Sequence, residues 1–114
     1  MATHLENLFI AGKHIAPHSG SYYENSNPTD GQVLARIAEG DSTDVDIAVG
    51  AATQAQRIWS SLPMLERRAA LMRLAEAVDK NKGRLATLDS QDAGKPIKLT
   101  RKFDVQQSSK VLGY

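Results

Sequence analysis

The 114-residue sequence predicts short β-strands over about residues 8–38 followed by about four α-helices over about 42–114. Three observations carry this prediction. Short β-prone runs are separated by Gly, Pro and Asp turns as far as Gly40. From Asp41 onward apolar residues recur at helical spacing. Residues that start and stop helices stand where that spacing begins and ends. At 41% hydrophobic and 24% charged, the composition is that of an ordinary globular chain of one-domain length.

The strand section opens with Leu8-Phe9-Ile10 and His14-Ile15-Ala16. A three-residue loop, Ala11-Gly12-Lys13, joins them, and its glycine suits a tight hairpin because it accepts positive φ. Pro17 to Ser21 reads as a loop. Tyr22 to Asn27 is a second β-prone run. It is ended by Pro28-Thr29-Asp30-Gly31, where proline removes a ladder donor and Asp bonds its own backbone. Gln32 to Ala38 alternates Val33, Ala35 and Ile37 against Leu34 and Arg36, the period of a third strand.

Asp41, Ser42 and Thr43 offer side-chain oxygens for a helix N-cap, and Asp44 and Asp46 suit the positive end of its dipole. Val45, Ala48, Val49, Ala52, Ala55 and Trp59 form a narrow stripe of mostly small residues, open to close approach by a neighbour. Pro63 stops this helix and opens the next, where Leu71, Leu74, Ala75 and Val78 share a face. A third helix runs from about Lys82 to Ala93 with Leu85 and Leu88 facing inward, closed by Gly94 and Pro96. In the last segment, Phe103 to Tyr114, Val105 and Leu112 stand one heptad apart, and the pattern has not closed at Tyr114. Trp59, Phe9 and Phe103 read most simply as core residues.

Composition excludes several kinds of function. A formal net charge of +1 supplies no field for nucleic acid or anionic lipid. No apolar run is long enough to span a membrane, and the start Met1-Ala2-Thr3-His4-Leu5-Glu6 lacks a secretory signal. The absence of cysteine removes disulfides, zinc–thiolate sites and any thiol nucleophile, and fits a cytoplasmic location. The eight glycines form neither GxGxxG nor a P-loop, and no G-x-S-x-G elbow is present. The run Asp41 to Asp46 lacks the turn Gly and distal Glu of an EF-hand loop. His14 and His18 have metal-ligand spacing only if helical, and Pro17 argues that they are not. Lys95, Lys98, Arg101, Lys102 and Lys110 have no interleaved aromatics and read as a solvated face. Asn25-Ser26-Asn27-Pro28 and Asp92 carry oxygen donors of the type hard cations take, although taken alone they read as turn and cap chemistry.

Five stretches in register resemble the N-terminal part of the aldehyde dehydrogenase superfamily. Leu8-Phe9-Ile10-Ala11-Gly12-Lys13 resembles the family's opening hairpin, and Asn27-Pro28-Thr29-Asp30-Gly31-Gln32-Val33-Leu34-Ala35 its Asn-Pro-x-x-Gly turn and strand. Asp44 to Val49, with Ala51, Ala52 and Trp59, is similar to the first helix. Glu66-Arg67-Arg68 leading to Leu71 and Leu74-Ala75 is similar to the second. Asp92-Ala93-Gly94-Lys95-Pro96 is similar to the Gly-Lys-Pro turn.

The resemblance implies an α/β parent with a Rossmann-type cofactor domain. Residues 1–114 would be an incomplete N-terminal part of that domain. It implies oxidation of a small aldehyde to a carboxylic acid with NAD or NADP, through a cysteine thiohemiacetal and thioester with a glutamate base. The catalytic cysteine and glutamate and the cofactor-binding loops lie later in the family, so no catalytic or cofactor-binding residue is expected here and the isolated chain is expected to be inactive. In members like betaine aldehyde dehydrogenase a monovalent cation, K+ or Na+, sits near this region. By motif position Asn25, Ser26 and Asp92 would hold it. The parent is expected to be a homodimer or homotetramer without nucleic-acid or membrane partners. The competing reading is a non-catalytic helical interaction module that docks on a partner protein.

Overall fold

The computed structural model describes residues 4–114; Met1–Thr3, part of the start read for a secretory signal, lie outside them. The chain forms two compact units. One comprises the residues up to Ser26 together with Gly31–Ser61, the other Asn27–Asp30 with Leu62–Tyr114.

The first unit contains β1 (Leu5–Glu6), β2 (Leu8–Ile10), β3 (Lys13–Ile15), β4 (Tyr22–Ser26), β5 (Val33–Ala38) and α1 (Ser42–Ser61). β2 and β3 pair as an antiparallel hairpin with Ile10 opposite Lys13. The loop is therefore two residues, not three. Ala11 and Gly12 have φ of 51° and 77°, the two positive values of a type I′ turn, whose twist matches that of the flanking strands. Lys13 belongs to the strand because that turn closes the ladder one residue earlier.

β5 is central in the other sheet, antiparallel to β4 and parallel to β1, a strand absent from the sequence expectation. Two residues with no apolar periodicity gave no signal for β1; it exists because the open edge of β5 accepts it. Strict alternation along β5 is not observed. Ala35 and Ala38 are buried, Leu34 and Ile37 half-buried, and Val33 is exposed at the end of the ladder where the β4 register shifts between Asn25 and Ser26.

α1 begins where expected but buries less than its stripe implies. Ala48 and Trp59 are half-buried, whereas Val45, Val49, Ala52 and Ala55 are exposed. Phe9, expected in the core, is 66% exposed and lies beside the His14 ring at 5.0 Å between centroids. A three-residue strand in a two-stranded hairpin has no second layer to cover its outer face.

The second unit contains α2 (Met64–Lys80), α3 (Lys82–Ala93), α4 (Ile97–Leu99), a π-helical segment (Thr100–Asp104) and α5 (Val105–Leu112). The three last pieces run on from one another, so the final helix starts before Phe103. Its core is made of small residues: Ala75, Ala86, Thr100, Val105 and Ser109 are buried. Side chains of this size let α5 approach α2, and the π-helical segment approach α3. Leu85 is half-buried as expected, but Leu88 and Phe103, the latter 64% exposed, face solvent. Leu71 and Leu74 are also exposed, and the burial on their face falls to Ala75.

Candidate functional site

The sequence-derived cation ligands fall in different units. Asn25 and Ser26 end β4, and the register shift between them interrupts regular pairing there, the circumstance in which carbonyls turn away from a ladder. Asp92 stands in the last turn of α3, exposed, two residues before Gly94. Among the described residues no group of three or more His, Asp or Glu is placed to hold a metal ion.

Within the second unit two motifs of the sequence analysis meet directly. Gly94 adopts φ 68° as the left-handed cap of α3, and a Cβ at this position would lie 2.9 Å from Pro28 Cγ. The Asn27–Asp30 turn therefore lies against a residue without a side chain. Asn27 Oδ1 accepts from the Thr29 N–H at 2.9 Å and holds the turn in shape. Beyond Gly94, Ser90 Oγ donates to the Lys95 carbonyl at 2.5 Å, so the chain reverses under several local restraints.

Next to this turn a cleft of about 650 Å³ is lined by Val78, Leu85, Ala93 and Val105, with Asp89, Lys95 and Asp104 among its polar groups. Lys95 Nζ and Asp104 Oδ2 are 2.6 Å apart. That hydrogen bond raises the Lys95 pKa above its ordinary value, against the opposing effect of desolvation and with help from the charges of Asp104 and Asp89. Thr100 is fully buried, its hydroxyl 3.0 Å from the Ala86 carbonyl and 3.1 Å from that of Ile97. The Val105 N–H reaches back to the Thr100 carbonyl, the five-residue spacing of a π turn. Sequence reasoning missed Thr100, since a threonine in a polar stretch gives no signal of burial.

In the first unit the N-terminus of α1 is an ordered carboxylate cluster. Asp41 Oδ1 accepts from the Asp44 N–H at 3.1 Å, and Asp44 Oδ2 accepts from the Asp41 N–H at 3.0 Å. This is a reciprocal capping box with Asp in both roles. Asp44, which the sequence placed on the helix dipole, is only 4% exposed and also accepts from the His18 N–H at 3.0 and 3.2 Å. His18 is exposed as expected, but its Nδ1 lies 2.9 Å from Asp41 Oδ2. That contact raises the His18 pKa and lowers that of Asp41. No local pattern announces a partner 23 residues away.

Similarity to known proteins agrees with the motifs that meet at Pro28 and Gly94. The aldehyde dehydrogenase family model matches residues 14–114. An aldehyde dehydrogenase of Vibrio cholerae is 39% identical over 97 residues, 85% of this chain and 19% of that protein. A Burkholderia cenocepacia structure classed with the aldehyde dehydrogenases superposes with a TM-score of 0.93 at 39% identity, over 96% of this chain and 22% of that one. PnpE from Pseudomonas sp. WBC-3 does so with a TM-score of 0.93 at 34% identity, over 96% and 23%. A PnpE structure in complex with nicotinamide adenine dinucleotide gives 0.92 at 34% identity, over 96% and 22%. The chain belongs to the aldehyde dehydrogenase family and corresponds to its N-terminal part. It spans about a fifth of the length of the relatives it matches.

Proposed function

We propose that these residues serve as the N-terminal structural part of an NAD(P)-dependent enzyme that oxidises a small aldehyde to a carboxylic acid, and that the chain by itself does not catalyse the reaction. The observation that carries this reading is the family match over 14–114 in a chain with no cysteine. Without a thiolate no thiohemiacetal forms, and no Gly-rich element of this chain offers a pyrophosphate site. The dinucleotide, when bound, accepts the hydride. The contribution of these residues is structural: they supply strands, capped helices and the Pro28–Gly94 contact.

The many exposed apolar side chains support the same reading. Val45, Val49 and Ile58 on α1, and Met64, Leu65, Leu71 and Leu74 on α2, face solvent in this chain. Each is worth about 1.5–3 kcal/mol if fully covered. In the proposed parent, a soluble cytoplasmic homodimer or homotetramer, later sequence covers them. The same faces suit a non-catalytic docking module. Stoichiometric binding to a purified full-length homologue would favour that second reading.

The monovalent-cation site at Asn25, Ser26 and Asp92 belongs to the proposal for the parent. Their oxygen donors fit K+ or Na+ in kind. Melting that depends on KCl but not on an equal concentration of a bulky organic cation is its check. The main test is an assay of the purified 114-residue chain with aldehyde and NAD+ or NADP+. The expected rate of cofactor reduction equals the protein-free blank, and a rate that scales with protein would refute the proposal.

A further inference from the structure

The loop between β3 and β4 is tied to α1 by two carboxylates, Asp41 and Asp44. Pro17 is buried, and Gly20 N–H closes a turn onto the Pro17 carbonyl at 2.9 Å, so the loop has a defined shape. Its ties to the helix end pass through His18. The backbone N–H donates to the buried Asp44 carboxylate, and the imidazole Nδ1 faces Asp41. Asp41 divides its oxygens: Oδ1 caps α1 through the Asp44 N–H, and Oδ2 meets the histidine ring.

We propose that His18, Asp41 and Asp44 form a pH-sensitive clasp that holds the Pro17–Ser21 loop on the N-terminus of α1, tight while the imidazole is protonated and slack when it is neutral. The backbone tie to Asp44 and the cap from Asp41 survive deprotonation of His18. The ring contact loses its ion-pair character: a neutral imidazole can still donate Nδ1–H to the Asp41 carboxylate, but the attraction between opposite charges is gone. Asp41 and Asp44 are the titratable groups that act on His18, and both favour its cation.

The sign follows from the directions of the two shifts. His18 is raised, so its contribution is fully present below the ordinary histidine value of about 6.5 and is lost as pH rises through the higher folded value. Asp41 is lowered, so its contribution is present above the ordinary carboxylate value and is lost as pH falls through the folded one. The clasp is therefore tightest in mildly acidic solution and loosens toward alkaline pH.

The test is an NMR titration of the 114-residue chain, of D41N and of H18Q. Asparagine caps helices as well as aspartate does, so D41N keeps the cap and removes the charge. The His18 ring of the parent chain is expected to titrate above about 6.5, and D41N to lower that midpoint by a few tenths of a pH unit or more. Exchange of the His18 and Ser19 amides, corrected for intrinsic catalysis, is expected to quicken about two- to fivefold across the same interval. H18Q, which leaves the α1 cap untouched, is expected to abolish that pH dependence. An unshifted His18 midpoint in the parent chain, a midpoint indifferent to D41N, or a loop profile that persists in H18Q would each overturn the clasp.

Discussion

The second unit buries Ala75, Ala86, Thr100 and Val105 between helices, whereas the first buries Ala35, Ala38 and the Asp44 carboxylate and leaves most of the α1 stripe in solvent. Order in the second unit comes from close approach of backbones over small side chains. Order in the first comes from strand pairing and from hydrogen bonds that converge on one buried acid. The difference shows that burial of an apolar stripe does not follow from having one. Val45 and Val49 have helical spacing as good as that of Ala75 and Val78, yet α1 is the single helix of its unit among the described residues, whereas α2 packs against α5 and α3 within its own.

The largest expected effect breaks the close approach. Gly94→Ala places a Cβ at 2.9 Å from Pro28 Cγ on a residue with φ 68°. A left-handed alanine costs about 1–2 kcal/mol, and overpacking about 1–3 more. The urea midpoint of the chain is expected to fall markedly, and an unchanged midpoint would mean that the turn does not lie against Gly94.

A smaller effect tests the first unit. Asp44→Ala strips the His18 and Asp41 N–H groups of their acceptor, and each such loss costs about 1–3 kcal/mol where water does not replace it. Asp44→Asn retains one acceptor oxygen and should recover part of the loss. Thermal melting followed by far-UV circular dichroism reads both, and equal melting of the two variants would show that the carboxylate is not what orders the α1 terminus.

The smallest effect sharpens the contrast from the other side. Thr100→Val keeps the shape but deletes the hydroxyl that bonds the Ala86 carbonyl. A loss of about 1–2 kcal/mol is expected from an acceptor left with less than its full set of partners in a buried place. A melting temperature at or above that of the parent would assign the stability of this contact to packing alone.

Much of the fold is legible in the sequence alone. The hairpin at Gly12, the N-cap at Asp41, the break at Pro63 and the stop at Gly94 are local events, each fixed by one residue's dihedral preference or donor inventory. The errors are equally specific. Phe9 and Phe103 read as core because they are large and apolar, but covering a large ring needs an opposing layer, and neither has one here. β1 escaped notice because two residues have no period.

The candidate site was less legible, because its contacts join distant positions. Pro28 and Gly94 each announced a turn, and Asn25, Ser26 and Asp92 were legible as oxygen donors, without any sign of which groups would be neighbours. His18 and Asp41 likewise gave no hint of one another.

By itself the sequence determined the turns, the caps and the order of strands and helices, since those depend on interactions between residues within about one helical turn of each other. It also determined, through the absence of cysteine, that no thiolate chemistry resides in this chain. Only the tertiary structure decided that Thr100 is buried while Phe103 is not, that Pro28 lies on Gly94, and that Asp44 serves the His18 loop as well as its own helix. Those outcomes depend on which surfaces the folded chain brings close enough to exclude water, and that is a property of the packed whole rather than of any window of sequence.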